Sequence, residues 1–234
     1  MIPIGEGRRL PVFPFVVYVL IAINVYVFAQ EIGAADTDAF INAYAAIPYD
    51  VTNGVVLAPP SPPFAPLTLV TSMFVHGSIL HIVFNMLFLF VFGPQMEYVC
   101  GHTRFAVYYL VCGLAGGAAQ VLIGPGSHVP AIGASGAIAG VLGGYLVTFP
   151  FARINTIVPI GCFPLFLRLP AILVIGLWAL SQFVNGFGAL SSRAAEAQGG
   201  VAYFAHIGGF CAGVILIAMF RRRDAGTRAQ RSYY

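Results

Sequence analysis

The stretch "AIGASGAIAGVLGGY", Ala131–Tyr145, sets one serine between glycines at the start of a strongly apolar segment. Within it, glycines recur every fourth residue at Gly136, Gly140 and Gly144. Small residues four apart share a helix face and let two helix backbones approach closely in a membrane. The stretch therefore predicts a close-packed membrane helix with Ser135 at its start.

The composition of the chain is that of a membrane protein. Hydrophobic residues make up 59% of the 234 residues and charged residues only 8%, whereas about a quarter of a soluble domain is charged. The apolar runs are long enough to span a bilayer as helices and lack the alternation of barrel strands. We therefore predict an all-α, polytopic bundle that forms a single membrane domain over residues 1–234. The six predicted helices are Leu10–Ala29, Ile79–Tyr98, Arg104–Ile123, Ser135–Phe149, Leu169–Phe187 and Val201–Phe220.

The arginines predict the orientation in the membrane. If the six helices are threaded alternately, ten of the eleven arginines fall on one side and only Arg193 on the other. Because positive charge concentrates in cytoplasmic loops, we expect both termini in the cytoplasm and loops 30–78, 124–134 and 188–200 on the opposite side. The first apolar run is longer than the apolar part of a signal peptide, about 7–15 residues, so we expect a retained helix. Two cytoplasmic ends, the lack of a targeting peptide and a chain hardly longer than its helices lead us to expect a bacterial inner membrane. The ten arginines are Arg8, Arg9, Arg104, Arg153, Arg168, Arg221, Arg222, Arg223, Arg228 and Arg231.

Neither the charge nor the cysteines predict a cofactor or a nucleic-acid partner. The net charge of +3 follows from the arginine distribution, and no basic patch is interleaved with aromatic residues. The four cysteines are dispersed and form no CxxC pair. They therefore indicate neither a zinc site nor a disulfide framework.

The longest predicted connection, residues 30–78, contains "APPSPPFAPL", whose prolines disfavour a regular helix. It also carries apolar residues such as Ile47, Leu57 and Phe64. We therefore expect an irregular loop that lies partly in the outer leaflet.

Four polar side chains are predicted at one depth in the membrane. Counted from the inner helix ends at about 1.5 Å per residue, Ser135 and His206 each lie about 21 Å up. On the same scale His81 and Asn85 lie at about 24 and 18 Å, and their spacing of four places them on one helix face. The fourth helix covers only about 22 Å of a core near 30 Å thick, so it begins below the outer surface, where water reaches Ser135. Polar groups at membrane depth indicate a functional site.

A serine and a histidine at this depth are typical of nucleophilic catalysis. The helix start supplies unpaired backbone N–H groups that can stabilise an oxyanion, and a neutral His206 can take the proton of Ser135. No carboxylate is expected at this level, so the arrangement would be a pair without an acidic third member. Other interpretations stay open: Ser135 as a helix N-cap, His206 as a buried core histidine, and His81 with Asn85 as a structural pair. A metal site formed by His76, His81 and His206 is weakly indicated, because no HExxH motif or carboxylate partner accompanies them.

At these residues the chain resembles the rhomboid proteases, a family of intramembrane serine proteases. The family's GxSG element stands here as "GASG" at 133–136, and its second-helix HxxxN as His81 and Asn85. Its sixth-helix histidine, followed by small residues, stands as His206 in "AHIGGFCAG". The resemblance covers roughly residues 10 to 220 and all six predicted helices.

The resemblance implies a serine endopeptidase that cleaves transmembrane segments of other proteins within the bilayer, without a metal or another cofactor. Ser135 would be the nucleophile and His206 the general base and acid. His81, Asn85 and the backbone N–H of Ser135 would form the oxyanion hole.

The resemblance further places a lateral substrate gate at Phe183 and Phe187, beside the loop 188–200. In one respect the chain departs from some members, which carry an aromatic residue four positions after the serine, stacked on the histidine. Here that position is Ala139, so His206 must be oriented by another group.

Two alternative functions remain. One is a catalytically inactive, rhomboid-like protein that binds transmembrane helices; such relatives typically lack the serine or the histidine, and both are present here. The other is a small transporter, which predicts paired discontinuous helices and a charged coupling residue. The sequence indicates neither feature.

Overall fold

The computed structural model describes residues 1–6, 10–55, 57–160, 163–191 and 201–222. Long helices dominate it, and the segment between the first two long helices contains three short ones. A pair of 3₁₀ turns, Ala65–Leu67 and Ser72–Phe74, flanks the shortest helix, α4. The helices are α1 (Phe15–Gly33), α2 (Thr37–Tyr44), α3 (Pro48–Asn53), α4 (Thr68–Thr71), α5 (Ile79–Cys100), α6 (His102–Ile123), α7 (Ser135–Thr148), α8 (Ala171–Ser191) and α9 (Tyr203–Phe220).

The predicted class, a polytopic helical membrane bundle, is confirmed. In the part of the chain that the structure describes, five helices (α1, α5, α6, α8 and α9) are long and apolar enough to cross a membrane. The sixth predicted helix, α7, has 14 residues, which corresponds to about 21 Å at 1.5 Å per residue. It is the short helix that the sequence predicts.

The first helix is shifted relative to its prediction, from Leu10–Ala29 to Phe15–Gly33. Its start is later because Pro14 takes the N-cap position with a non-helical backbone. Its end is later because the Glu31 carboxylate accepts two backbone hydrogen bonds, from His76 and Gly77, so a charged residue is tolerated inside the helix. The other five helices end within about one turn of their predicted bounds.

A small antiparallel sheet was not predicted. Strands β1 (Ile2–Glu6), β2 (Arg153–Ile160) and β3 (Phe163–Pro170) lie in the order β1-β2-β3. The prediction that the fifth helix begins at Leu169 is wrong, because Leu169 and Pro170 complete β3 by pairing with β2. The sheet also needs the N-terminal segment as its third strand, a long-range pairing that local sequence does not reveal.

Three chain segments meet at one end of the bundle. The Glu97 carboxylate, near the end of α5, accepts the backbone N–H groups of Val16 and Val17 at 2.9 and 2.8 Å. The backbone N–H of Arg222, just after α9, donates to the carbonyl of Val99 in α5 at 2.9 Å. The start of α1, the end of α5 and the end of α9 therefore lie at the same end of the helical bundle.

The described arginines accompany these segments. They lie at the start of α6, in the β2–β3 hairpin and after α9, and they are Arg104, Arg153, Arg168, Arg221 and Arg222. The other arginines used in the prediction lie outside the described residues, and they are Arg8, Arg9, Arg193, Arg223, Arg228 and Arg231.

The connection between α1 and α5 is more ordered than predicted. Its proline-rich part, residues 58–64, contains no helix, as expected, but α2, α3 and α4 occupy much of the rest. Asp36 caps α2 by accepting the backbone N–H of Ala39 at 2.9 Å, and Pro48 begins α3. Proline is favourable at a first helical position because its missing N–H would have no partner there.

Helix α7 lies at the centre and packs directly against α9. A methyl group added to Gly209 would lie 2.0 Å from the carbonyl oxygen of Gly136, and one added to Gly213 would lie 2.1 Å from that of Gly140. The Tyr108 hydroxyl of α6 reaches the carbonyls of Gly140 and Gly213 at 2.7 and 3.0 Å. The small-residue contacts therefore fix α9 against α7 and set the position of the residues that α9 carries.

Candidate active site

Ser135 and His206 are in direct contact. The Nε2 atom of His206 lies 2.7 Å from the Oγ of Ser135. Ser135 is the first residue of α7, and His206 lies in the first turn of α9 with 9% of its surface exposed. The interpretation of Ser135 as an N-cap is wrong, because Ala134 occupies the cap and no side chain caps the helix.

Two residues of α8 face the histidine and were given no role from the sequence. The Oε1 of Gln182 lies 2.7 Å from the Nδ1 of His206. The ring of Trp178 lies 5.8 Å from the imidazole, centre to centre. Polar character in an apolar helix is the signal that could have drawn attention to Gln182. The sequence does not show which face of α8 meets α9, because most of its residues are apolar and only a few polar ones interrupt them.

His81 lies on the other side of the serine. A methyl group on Gly133 would lie 2.6 Å from the Nε2 of His81 and 3.6 Å from the Oγ of Ser135. The φ angle of Gly133 is +112°, a conformation that L side chains rarely adopt. Both the backbone angle and the narrow gap between His81 and Ser135 therefore require glycine here.

The ring of His81 is held by the turn that precedes α5. Its Nδ1 lies 2.5 Å from the carbonyl oxygen of His76, and a carbonyl only accepts, so Nδ1 donates. The turn is fixed in its place by Glu31 of α1, which accepts the backbone N–H groups of His76 and Gly77 at 3.0 and 2.6 Å. Glu31 is 1% exposed, so a buried carboxylate positions the turn that orients His81.

His76 is almost fully buried beside this turn. Burial, followed by the neighbouring His81, lowers the pKa of His76 from 6.5 to about 4. The rings of His76 and His81 lie 5.2 Å apart in an edge orientation, and the Nδ1 atom of each faces a backbone carbonyl. Among the described residues, no group of three or more histidine, cysteine, aspartate or glutamate side chains could hold a metal ion.

Asn85 lies one turn further along α5 and is 6% exposed. Its Nδ2 donates to the carbonyl of His81 at 3.0 Å. An amide nitrogen carries two hydrogens, so one further N–H is available to a group in the adjoining cavity, which Asn85 lines.

A cavity of about 830 Å³ connects these groups. Ser135, His81, Asn85 and His206 all line it, together with apolar side chains. The apolar lining comes from α5, from the chain before α7 and from α7 itself, with Trp178 from α8. Among these apolar residues are Leu80, Phe84, Phe88, Ile132 and Ile138. The cavity thus joins a polar site to an apolar surface between α5 and α8.

The two residues predicted for the substrate gate lie apart from this lining. Phe187 is 60% exposed and its ring lies 6.0 Å from that of Phe204, while Phe183 is partly buried. Neither is among the described residues that line the cavity. Most of the predicted gate loop, residues 192–200, lies outside the described residues.

Fold and site define a class: an integral, multi-pass helical membrane protein with a hydrogen-bonded serine and histidine beside a cavity. The family model described as "Rhomboid domain" matches residues 64–223. The chain therefore belongs to the rhomboid family.

Curated relatives support this membership over parts of the chain. Rhomboid protease GluP of Bacillus subtilis is 40% identical over 78 residues, 33% of this chain and 15% of its own length. RHOMBOID-like protein 4 of Arabidopsis thaliana is 32% identical over 148 residues, 63% of this chain and 32% of its own. Inactive rhomboid protein 1 of Drosophila melanogaster is 32% identical over 74 residues, 32% of this chain and 5% of its own. The chain thus matches less than half the length of each of these relatives, which include a protein named as a protease and one named as inactive.

Proposed function

We propose that the protein is an intramembrane serine endopeptidase that cleaves transmembrane segments of other membrane proteins. The observation that carries the proposal is the contact of 2.7 Å between the Oγ of Ser135 and the Nε2 of His206, at the wall of the cavity. A serine hydroxyl is a weak nucleophile unless a neighbouring base takes its proton, and this geometry provides that base.

The proposed reaction proceeds through an acyl-enzyme. The Oγ of Ser135 attacks the scissile carbonyl carbon while the Nε2 of His206 takes the hydroxyl proton. The resulting tetrahedral intermediate collapses, the C–N bond breaks, and His206 returns the proton to the leaving amine nitrogen. A water molecule, deprotonated by His206, then hydrolyses the ester and regenerates Ser135.

The oxyanion of the intermediate would be stabilised by donors around Ser135. The backbone N–H of Ser135 lies in the first turn of α7, where helix N–H groups have no partner inside the helix. The second N–H of the Asn85 amide is available to the cavity. His81 contributes only when its ring is protonated, because its Nδ1–H is committed to the carbonyl of His76, which leaves Nε2 without a hydrogen in the neutral ring.

The proposed substrate reaches the site from the bilayer. A transmembrane helix is apolar, and the cavity presents an apolar surface between α5 and α8 with the polar groups beyond it. We place the gate on α8, where Phe183 and Phe187 follow Trp178 towards the outer end. The grouping of the described arginines at one end supports an orientation with both termini cytoplasmic, and we propose a bacterial inner membrane as the location.

The test is reaction of the detergent-purified protein with a fluorescent fluorophosphonate. Wild type should be labelled, whereas Ser135→Ala and His206→Ala should not, because the first lacks the nucleophile and the second its base. Thermal unfolding of the three proteins controls for folding. If folded wild type were labelled no more than Ser135→Ala, the alternative of an inactive, helix-binding rhomboid protein would replace the proposal.

A further inference from the structure

We infer that Gln182 is a positioning residue for His206 and takes the place of the acidic member of a catalytic triad. The inference rests on the proposed function, because it gives Gln182 a role in the same reaction. Ala139, four residues after Ser135, has no ring that could stack on the imidazole, so another group must orient His206.

The neighbours of Gln182 determine which way its amide points. Its Nε2 lies 3.3 Å from the carbonyl oxygen of Trp178 and 2.9 Å from the Oγ of Ser181. The carbonyl oxygen can only accept a hydrogen bond. The Ser181 hydroxyl uses its own hydrogen to donate to the same carbonyl at 2.6 Å, so its oxygen is free to accept. Both neighbours therefore require the amide nitrogen, and the Oε1 of Gln182 must face His206.

The direction of the amide fixes the tautomer of the histidine. An amide oxygen only accepts, so the Nδ1 of His206, 2.7 Å away, must carry a hydrogen and donate it. In the neutral ring the other nitrogen, Nε2, then carries none and is the acceptor that faces Ser135. Gln182 thus selects the tautomer in which His206 can accept the proton of the serine.

The same contact remains satisfied during the reaction. Once His206 has taken the proton, Nδ1 still donates to Gln182 and Nε2–H can deliver the proton to the leaving group. Because Gln182 is neutral, it orients the ring without the charge that an aspartate would supply. Trp178, one turn earlier on α8, packs its ring against the imidazole and restricts its tilt.

The experiment measures the rate of fluorophosphonate labelling against pH for wild type and three variants. Gln182→Met keeps the length of the side chain and removes the amide. Gln182→Glu keeps an oxygen acceptor and adds a negative charge. Gln120→Met is the matched control, since Gln120 is a second glutamine at membrane depth whose Oε1 accepts a backbone hydrogen bond in α9, from Ala205 at 3.3 Å, without touching the imidazole.

We expect Gln182→Met to be labelled at least about tenfold more slowly than wild type, because a misoriented base loses part of the about 10²–10⁴-fold that general acid–base catalysis contributes. Gln182→Glu should react faster than Gln182→Met, and the acidic limb of its pH profile should move to higher pH because a carboxylate favours the protonated imidazole. Gln120→Met should change the labelling rate by less than about threefold, because Gln120 does not contact the imidazole that serves as the base.

Two results would overturn the inference: labelling of Gln182→Met at the wild-type rate, or an equal loss of rate in Gln182→Met and Gln120→Met with no shift of the pH profile in Gln182→Glu. Failure of the proposed function is distinguishable, because in that case wild type itself would not be labelled above Ser135→Ala.

Discussion

The substitution Gly209→Ala tests whether the contact between α7 and α9 sets the geometry of the site. The new methyl carbon would lie 2.0 Å from the carbonyl oxygen of Gly136, 2.8 Å from its carbonyl carbon and 3.3 Å from its Cα. These are backbone atoms and cannot rotate away, so the two helices must separate by roughly 1 Å or more to reach normal contact. Overpacking of this kind costs about 1–3 kcal/mol.

The separation would act directly on the catalytic contact. Gly209 lies one turn after His206, and Gly136 follows Ser135. A shift of about 1 Å between the helices would therefore lengthen the distance of 2.7 Å between the Nε2 of His206 and the Oγ of Ser135. The new distance would exceed the range of a catalytic hydrogen bond, about 2.6–3.2 Å. Misplacement by about 1 Å can lower a rate by about 10²-fold. We therefore expect fluorophosphonate labelling about 10²-fold slower than wild type, with a lower unfolding temperature.

The control is Gly176→Ala in α8, where an added methyl group meets no atom within 4 Å. It should label like wild type, and its unfolding temperature should be equal or higher, because alanine is favoured over glycine in helices by about 0.5–1 kcal/mol. Wild-type labelling and stability of Gly209→Ala would refute the reasoning, since the close approach of α7 and α9 would then not constrain the pair.

Three further predictions concern single side chains. Glu97→Gln should lower the free energy of unfolding by about 1–3 kcal/mol, because an amide has one acceptor oxygen for the two backbone N–H groups of α1; unchanged thermal unfolding would contradict this. Since the pKa of His76 is lowered to about 4 in the folded state, the unfolded state binds more protons between pH 4 and 6.5. The free energy of unfolding should therefore fall as the pH is lowered through this range, by up to about 1.4 kcal/mol per pH unit. The variant His76→Gln should flatten that slope. The control variant His128→Gln, at an exposed position, should leave the slope unchanged. Asn85→Ala should slow labelling by about 10²-fold or more, as loss of an oxyanion donor does; a rate near that of wild type would remove Asn85 from the oxyanion hole.

Sequence reasoning could place Ser135 and His206 at one depth because each position depends on local information only. Both are counted from an inner helix end that a proline or arginine marks, and the rise per residue of a helix is fixed. The glycines Gly136, Gly140 and Gly144 of α7 indicated that another helix packs closely against it. The predicted depth and the predicted close packing together indicated that Ser135 and His206 lie near each other.

The features that the sequence did not reveal depend on long-range contacts or on rotation about a helix axis. The sheet needs the N-terminal strand to meet a hairpin about 150 residues away. The role of Gln182 depends on which face of α8 meets α9, and an almost uniformly apolar helix carries little periodicity to show this. The partners of Glu31 lie 45 and 46 residues away, so its place inside α1 was not expected.

The most direct test of the account is cleavage of single-pass membrane proteins in reconstituted liposomes. Wild type and Ser135→Ala would each be incubated with a panel of single transmembrane helices that carry glycine at different depths, and the products identified by mass spectrometry. We expect wild type to cut at least one helix at a peptide bond within its membrane segment and Ser135→Ala to leave the whole panel intact. Equal cleavage by both proteins, or none by a wild-type protein that reacts with fluorophosphonate at Ser135, would contradict it.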